Sequence, residues 1–232
     1  MKLSIEKEVF GKFSKLNIGV IVIKDMDNTR SSYSMISKML KDIQQYCRDK
    51  YVLKGFSKSP YLTNWKKGYG SKVKVPKYHT AVENLLHDVL LKRDVKLKNN
   101  LVDLYRYFML KDMIPIGGDD LDKVKGDINV KIAKGWEVLR PEHTKIEHPK
   151  SGEIVFMDGG GVLARRWSWH ESEKTKITHH TQNAIIYFDG LPPVTYQVLE
   201  SVMKEYISLL KTFVGGKIRY KILNFVNTSM RI

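Results

Sequence analysis

Residues Gly152–Thr181 read GEIVFMDGGGVLARRWSWHESEKTKITHHT, and this stretch decides how the rest of the chain is read. Its first half alternates short apolar runs with glycine. Glu153 to Asp158 and Val162 to Arg166 have the composition of strands, and Gly159-Gly160-Gly161 joins them as a hairpin connection. The triple glycine is not a phosphate loop, because no Lys-Ser or Lys-Thr follows at the required place. Over its whole length the stretch holds two tryptophans, two arginines, three histidines, three glutamates and five serine or threonine hydroxyls. Such a density forms either a buried polar network behind a sheet or the lining of a site.

Outward from this stretch the β pattern continues in both directions. Ala184 to Asp189 reads as a strand, and Asp127 to Ala133 places Ile128, Val130 and Ile132 on one side of another. Pro115 to Asp120 reads as a turn-rich loop, and Trp136 to Leu139 is short and mixed. Further upstream, Gly19 to Ile23 is a continuous β-branched run expected to form a buried strand, and residues 3–10 alternate weakly as an edge strand. Helical spacing appears four times. Ser31 to Cys47 carries Met35, Ile36, Met39, Leu40 and Ile43 on one face. Thr80 with Glu83 forms a capping-box signature ahead of Val82, Leu85, Leu86, Val89 and Leu90. A third helix starts near Asn100, with Asp103 in its first turn. The last opens at Pro192-Pro193, holds Leu199, Val202, Met203, Ile207 and Leu210, and stops at Gly215-Gly216. Lys217 to Val226 reads as a final strand. The expectation is one α+β domain over residues 1–232, with flanking helices around mixed sheets and a C-terminal helix and strand over 192–226.

The chain has 232 residues, 42% of them hydrophobic and 28% charged, which is ordinary globular composition. Its net charge of +15 is not ordinary and makes a polyanion, nucleic acid above all, a leading partner. The single cysteine, Cys47, excludes an intramolecular disulfide and fits a reducing compartment. The N-terminus has no apolar signal region, and the longest apolar run, Ile18 to Ile23, is far too short to span a bilayer. These features predict a cytoplasmic protein without membrane contact.

Residues 48–78 interleave Lys54, Lys58, Lys66, Lys67, Lys72, Lys74 and Lys77 with Tyr51, Phe56, Tyr61, Trp65, Tyr69 and Tyr78. Cations that neutralise phosphates beside rings that stack on bases suit a nucleic-acid surface. A solvated loop with inward-packed aromatics is the alternative. Lys66, Lys67, Lys72 and Lys74 are the candidate RNA contacts.

Familiar catalytic patterns are missing. There is no helical His-x-x-x-His and no Cys-x-x-Cys, and the adjacent His179 and His180 would point to opposite faces of a strand, so no metal or other cofactor is expected. Cys47 ends an amphipathic helix and lacks an activating partner, and no nucleophile elbow marks a serine. What remains is a polar constellation: Asp119, Asp120, Asp122 and Asp158, then Arg165, Arg166, His170, Glu171, Glu173, Lys174 and Thr175. Charges of both signs beside tryptophans suit a small zwitterionic or cationic group, or else pair with each other.

Several of these residues occur in ordered motifs. Pro115-Ile-Gly-Gly-Asp-Asp-Leu-Asp122, Gly126-Asp127-Ile128, Gly152-Glu153-Ile-Val-Phe-Met-Asp158, Arg165-Arg-Trp-Ser-Trp169, Thr175-Lys-Ile-Thr178 and Thr181 together resemble the tRNA-editing domain of the phenylalanyl-tRNA synthetase β subunit, and its free-standing relatives more closely still. Leu101-Val-Asp-Leu-Tyr105 and Tyr78-His-Thr80 fit the same pattern, and the resemblance covers roughly residues 60 to 190. It implies an α/β sandwich and hydrolysis of a mischarged aminoacyl-tRNA, in which the tRNA supplies the polyanion. Editing by a second hydrolytic site answers the case where binding alone discriminates too little. The ester is already activated, so no strong protein nucleophile is needed.

Carried onto this chain, the resemblance places a pocket where Gly118–Asp122 meets Trp167–Thr175. The matching positions are Asp120, Asp122, Asp158, Arg165, Arg166, Trp167, Trp169, Thr175, Thr178 and Thr181; with the chain's own polar residues added, Asp120, Glu173 and Thr175 are expected in catalysis and Gly118, Asp122, Asp158, Arg165, Arg166, Trp167, Trp169, His170 and Thr178 at the substrate. Two departures touch the substrate: relatives commonly read Trp-Asn-Trp-Arg where this chain has Trp167-Ser168-Trp169-His170, and Asn in place of Arg106. A histidine differs from an arginine in both charge and reach. Two other readings stand beside the hydrolase: a tRNA- or RNA-binding module of the same fold without activity, and a binder of a free amino acid.

Overall fold

A computed structural model of the chain describes residues 1–29, 33–52, 58–67, 80–141, 145–168 and 170–232, with Tyr33 and Lys67 described by backbone alone. The order of elements is β1 (Lys2–Ile5), α1 (Lys7–Lys12), β2 (Asn17–Lys24), α2 (Tyr33–Lys50), α3 (Pro60–Lys67), α4 (Ala81–Leu90), α5 (Asn100–Asp112), β3 (Ile116–Asp120), β4 (Ile128–Ile132), β5 (Ile154–Asp158), β6 (Gly161–Arg165), β7 (His170–Glu171), β8 (Ala184–Gly190), α6 (Tyr196–Phe213), β9 (Lys217–Leu223) and β10 (Ser229–Arg231). Short 3₁₀ turns at Leu121–Lys123 and Glu173–Thr175 complete the list.

Two sheets result. Strands β10-β1-β4-β5-β6-β7 form one, mixed because β1 and β4 run parallel; β3-β8-β2-β9 form the other, antiparallel throughout. Strands β2, β3 and β8 of the four-stranded sheet are buried on both faces, which is why β2 reads as an unbroken apolar run. Ile21, Ile23, Ala184, Ile186 and Phe188 face a helical layer of α2, α4, α5 and α6. The alternate residues Ile18, Val20, Val22, Ile185 and Tyr187 face the six-stranded sheet through Leu3, Val130, Ile154 and Phe156. The fold is therefore mixed α+β, a helical layer on two stacked sheets. Gly19 lets α6 approach β2, since a Cβ there would lie 2.3 Å from Met203 Sδ.

The helix starts at Thr80 and near Asn100 follow the sequence signals, whereas the last helix starts at Tyr196, behind Thr195, and not at Pro192-Pro193. Thr80 accepts the Glu83 amide at 3.2 Å, Asn99 accepts the Val102 amide at 3.1 Å, and Thr195 accepts the Val198 amide at 3.2 Å. Cys47 packs in the helical core, where burial pushes its thiol up to about 11.

Four expectations are corrected. Ile116 to Asp120 is strand β3 and not a loop, because its glycines and aspartates pair with Ala184–Phe188 of β8. Residues 3–10 split into β1 and α1, and β1 lies between β10 and β4 instead of at an edge. His179 and His180 sit in a turn with ring centroids 3.8 Å apart, not on a strand. Trp136 to Leu139 forms no strand, and Leu139 only bridges Glu147. The irregular stretch at 48–78 contains α3, whose Trp65 is buried. Lys72 and Lys74 lie outside the described residues.

Candidate active site

The turn after β6 brings the helical layer and the sheets together. Arg166, Trp167 and Ser168 all take positive φ, at 50°, 56° and 59°, a conformation costly for residues with a Cβ. Arg166 and Trp167 are held from outside. The Arg166 amide donates to Ile154 O at 3.2 Å, and the Trp167 carbonyl accepts the Ala81 amide at 3.2 Å, tying the turn to the start of α4. The Trp167 indole is fully buried against Trp65 at 4.6 Å and Phe13 at 5.1 Å between ring centroids.

Below this turn lies a cleft of about 300 Å³ between α4, α5 and β3. Its walls are Ala81, Asn84, Leu85 and Asp88 from α4, Tyr105, Arg106 and Met109 from α5, and Lys98; Ile116, Ser168 and Glu171 close it. Its volume falls at the lower end of small-ligand pockets, and its lining is more polar than is usual for them.

Glu171 keeps some surface where it lines the cleft, while its carboxyl lies deep. Its Oε1 accepts the Gly118 amide at 3.3 Å. Burial first, then the negative charge of Asp119, raises Glu171 to about 7. Asp119 is buried in the sheet, accepting Thr175 Oγ1 at 2.6 Å and Tyr187 OH at 2.9 Å. Burial raises it to about 6, against the lowering pull of those two hydroxyls. A buried carboxyl near half ionisation at neutral pH, facing a polar cleft, is the arrangement a general base requires.

The expected site residues fall into groups. Gly118 and Thr175 meet the two raised carboxyls, one through its amide and the other through its hydroxyl. Asp120 caps the 3₁₀ turn through the Asp122 amide and accepts Thr181 Oγ1 at 2.8 Å. Asp122 accepts both contacts of Asn183 Nδ2 at 3.0 Å. Asp158 accepts Lys174 Nζ at 2.8 Å and the Lys125 amide at 2.7 Å; these and the Gly160 amide outweigh burial and hold it below its ordinary value.

Arg165 grips the buried Glu153 through Nε at 2.9 Å and also reaches Glu147 at 2.6 Å, and Arg166 joins it on Glu153. His170 Nδ1 lies 2.7 Å from the other oxygen of Glu147. Glu173 is exposed beside Lys176, and Thr178 Oγ1 accepts the His180 amide. Lys66 pairs with the buried Glu83 at 3.0 Å. None of Asp120, Asp122, Asp158, Arg165, Arg166, Glu173 and Thr178 lines the cleft. Trp169 lies outside the described residues. The cleft instead brings forward Glu171, named in the polar constellation but given no role there, and Ser168, noted only as a departure from the family motif.

A family model, the B3/4 domain, matches residues 64–215. The chain belongs to the B3/4 domain family, the editing-type domain of phenylalanyl-tRNA synthetase β subunits. Among solved structures it is similar to an N-terminal fragment of the phenylalanyl-tRNA synthetase β subunit from Pyrococcus horikoshii, at 14% identity and a TM-score of 0.44. That match covers 94% of this chain and 50% of the fragment, so the chain spans half the fragment's length. No curated protein matches the chain. Among the described residues, no helix is long and apolar enough to cross a membrane.

Proposed function

We propose that this chain is an aminoacyl-tRNA deacylase, removing a wrongly attached amino acid from tRNA, with the α4–α5 cleft as its aminoacyl site. The observation that carries the reading is Glu171: a carboxyl raised to about 7, anchored on the Gly118 amide, at the floor of a polar cleft. Ester hydrolysis needs a positioned water and a base of matched pKa, and no covalent nucleophile. In this reading Glu171 accepts the proton of water. Asp119 acts through its charge on Glu171, and Thr175 through its hydrogen bond to Asp119. Asn84, Asp88, Lys98 and Arg106 offer donors and acceptors to an amino acid with a polar side chain, whereas Leu85 and Met109 supply the apolar wall. The net charge of +15 supplies attraction to the tRNA.

The test is release of amino acid from a panel of correctly and wrongly charged tRNAs by catalytic amounts of protein. Multiple turnover on one ester supports the reading. No release across a broad panel contradicts it, and salt-sensitive tRNA binding in that case leaves a binding module.

A further inference from the structure

Ser168 has an unusual combination of properties. It is 6% exposed, it lines the cleft, and its Oγ is buried with no hydrogen-bond partner among the described residues. Leaving a buried hydroxyl without a hydrogen bond is unfavourable. The residue also closes the run of three positive-φ residues, so strain and desolvation fall on the same side chain. The turn is fixed at Trp167 by the aromatic cluster and the Ala81 amide, leaving Ser168 directed over β3.

Glycine on β3 makes room for this. A Cβ on Gly117 would stand 2.0 Å from Ser168 Oγ and 2.6 Å from Glu171 Oε1. The hydroxyl and the carboxylate therefore crowd the same spot beside the Gly117 backbone, both line the cleft, and they are not bonded to each other. A water on the cleft side of the pair can accept from the serine hydroxyl while donating to the carboxylate.

We propose that Ser168 Oγ and Glu171 Oε1 together seat the hydrolytic water, with Ser168 fixing its position and Glu171 taking its proton. The inference rests on the deacylase reading above. In the step, the water oxygen bonds to the ester carbon and its proton passes to Glu171. The bond from that carbon to the ribose oxygen breaks, and the proton passes from Glu171 to the ribose oxygen. Free amino acid and a tRNA hydroxyl remain.

The experiment compares wild type, Ser168→Ala and Ser168→Gly on the aminoacyl-tRNA that wild type hydrolyses, measuring kcat, KM, the pH profile and the melting temperature. Losing one positioned hydrogen bond at the reacting atoms should lower kcat by about ten- to a hundredfold in both variants. KM should stay within about twofold, the pH midpoint should remain at that of wild type, and melting should not fall in Ser168→Gly, where no Cβ is held at positive φ. Wild-type kcat in Ser168→Ala overturns the water seat while leaving the deacylase reading intact. Recovery of kcat in Ser168→Gly alone also overturns it, since backbone strain would then be the cause. A wild type without turnover on any ester overturns both.

Discussion

The amide of Gly118 donates to Glu171 Oε1 at 3.3 Å, joining the edge strand of the four-stranded sheet to the last strand of the six-stranded one. One bond thus ties the two sheets together at the floor of the cleft and orients the carboxylate on which the proposed chemistry depends.

The raised carboxyls make stability depend on pH with a definite sign. Glu171 and Asp119 titrate near 7 and 6 when folded, above the value of about 4 for an unfolded acid. The folded state then binds more protons between those limits, so their contribution to stability is full below about pH 4 and is lost as pH rises through 6 and 7. Thermal melts across pH 4–8 should fall less steeply with rising pH in Asp119→Asn and Glu171→Gln than in wild type. Parallel curves would contradict the burial of these groups in their charged form.

Glu153 pairs with two buried guanidiniums, those of Arg165 and Arg166, and Glu147 gives Arg165 a second carboxylate. Removing it leaves both without their shared carboxylate in a dry site, and breaking a buried pair in this way costs about 3–5 kcal/mol. Glu153→Ala should therefore lower the urea midpoint strongly, whereas the exposed Glu173→Ala should change it little. Equal, small effects would show that the network is not structural.

Gly117→Ala places a methyl group where Ser168 Oγ and Glu171 Oε1 now converge. Overpacking of this kind costs about 1–3 kcal/mol. The variant should melt lower and lose turnover, because one of the two oxygens must move. Full activity at unchanged stability would mean the two side chains yield freely.

Much of this architecture was legible in the sequence. Helices α2, α4, α5 and α6 follow from apolar spacing and from caps such as Thr80, and β2 from its β-branched run. Strand β3 was not legible, because Gly117-Gly118-Asp119-Asp120 has the composition of a turn. Its glycines are there for close approach: a Cβ on Gly118 would lie 2.6 Å from Ile185 O. The polar stretch stood out in the sequence as well, and a contact of Gly118 with the segment after Trp167 is present in the fold. Choosing among its acids was beyond the sequence. Glu171 and Glu173 are two residues apart and of one type, and only the β7 pairing and the 3₁₀ turn after it decide that one lines the cleft and the other faces solvent.

The most direct test of the central claim is single-turnover hydrolysis of the preferred aminoacyl-tRNA by wild type and Glu171→Gln from pH 5 to 8. The account predicts a wild-type rate that rises with pH and levels off above about 7, as Glu171 ionises. It also predicts a rate in Glu171→Gln lower by roughly 10²–10⁴ and flat over that range, with tRNA affinity unchanged. A Glu171→Gln protein that hydrolyses the ester at the wild-type rate, with the same pH dependence, would contradict it.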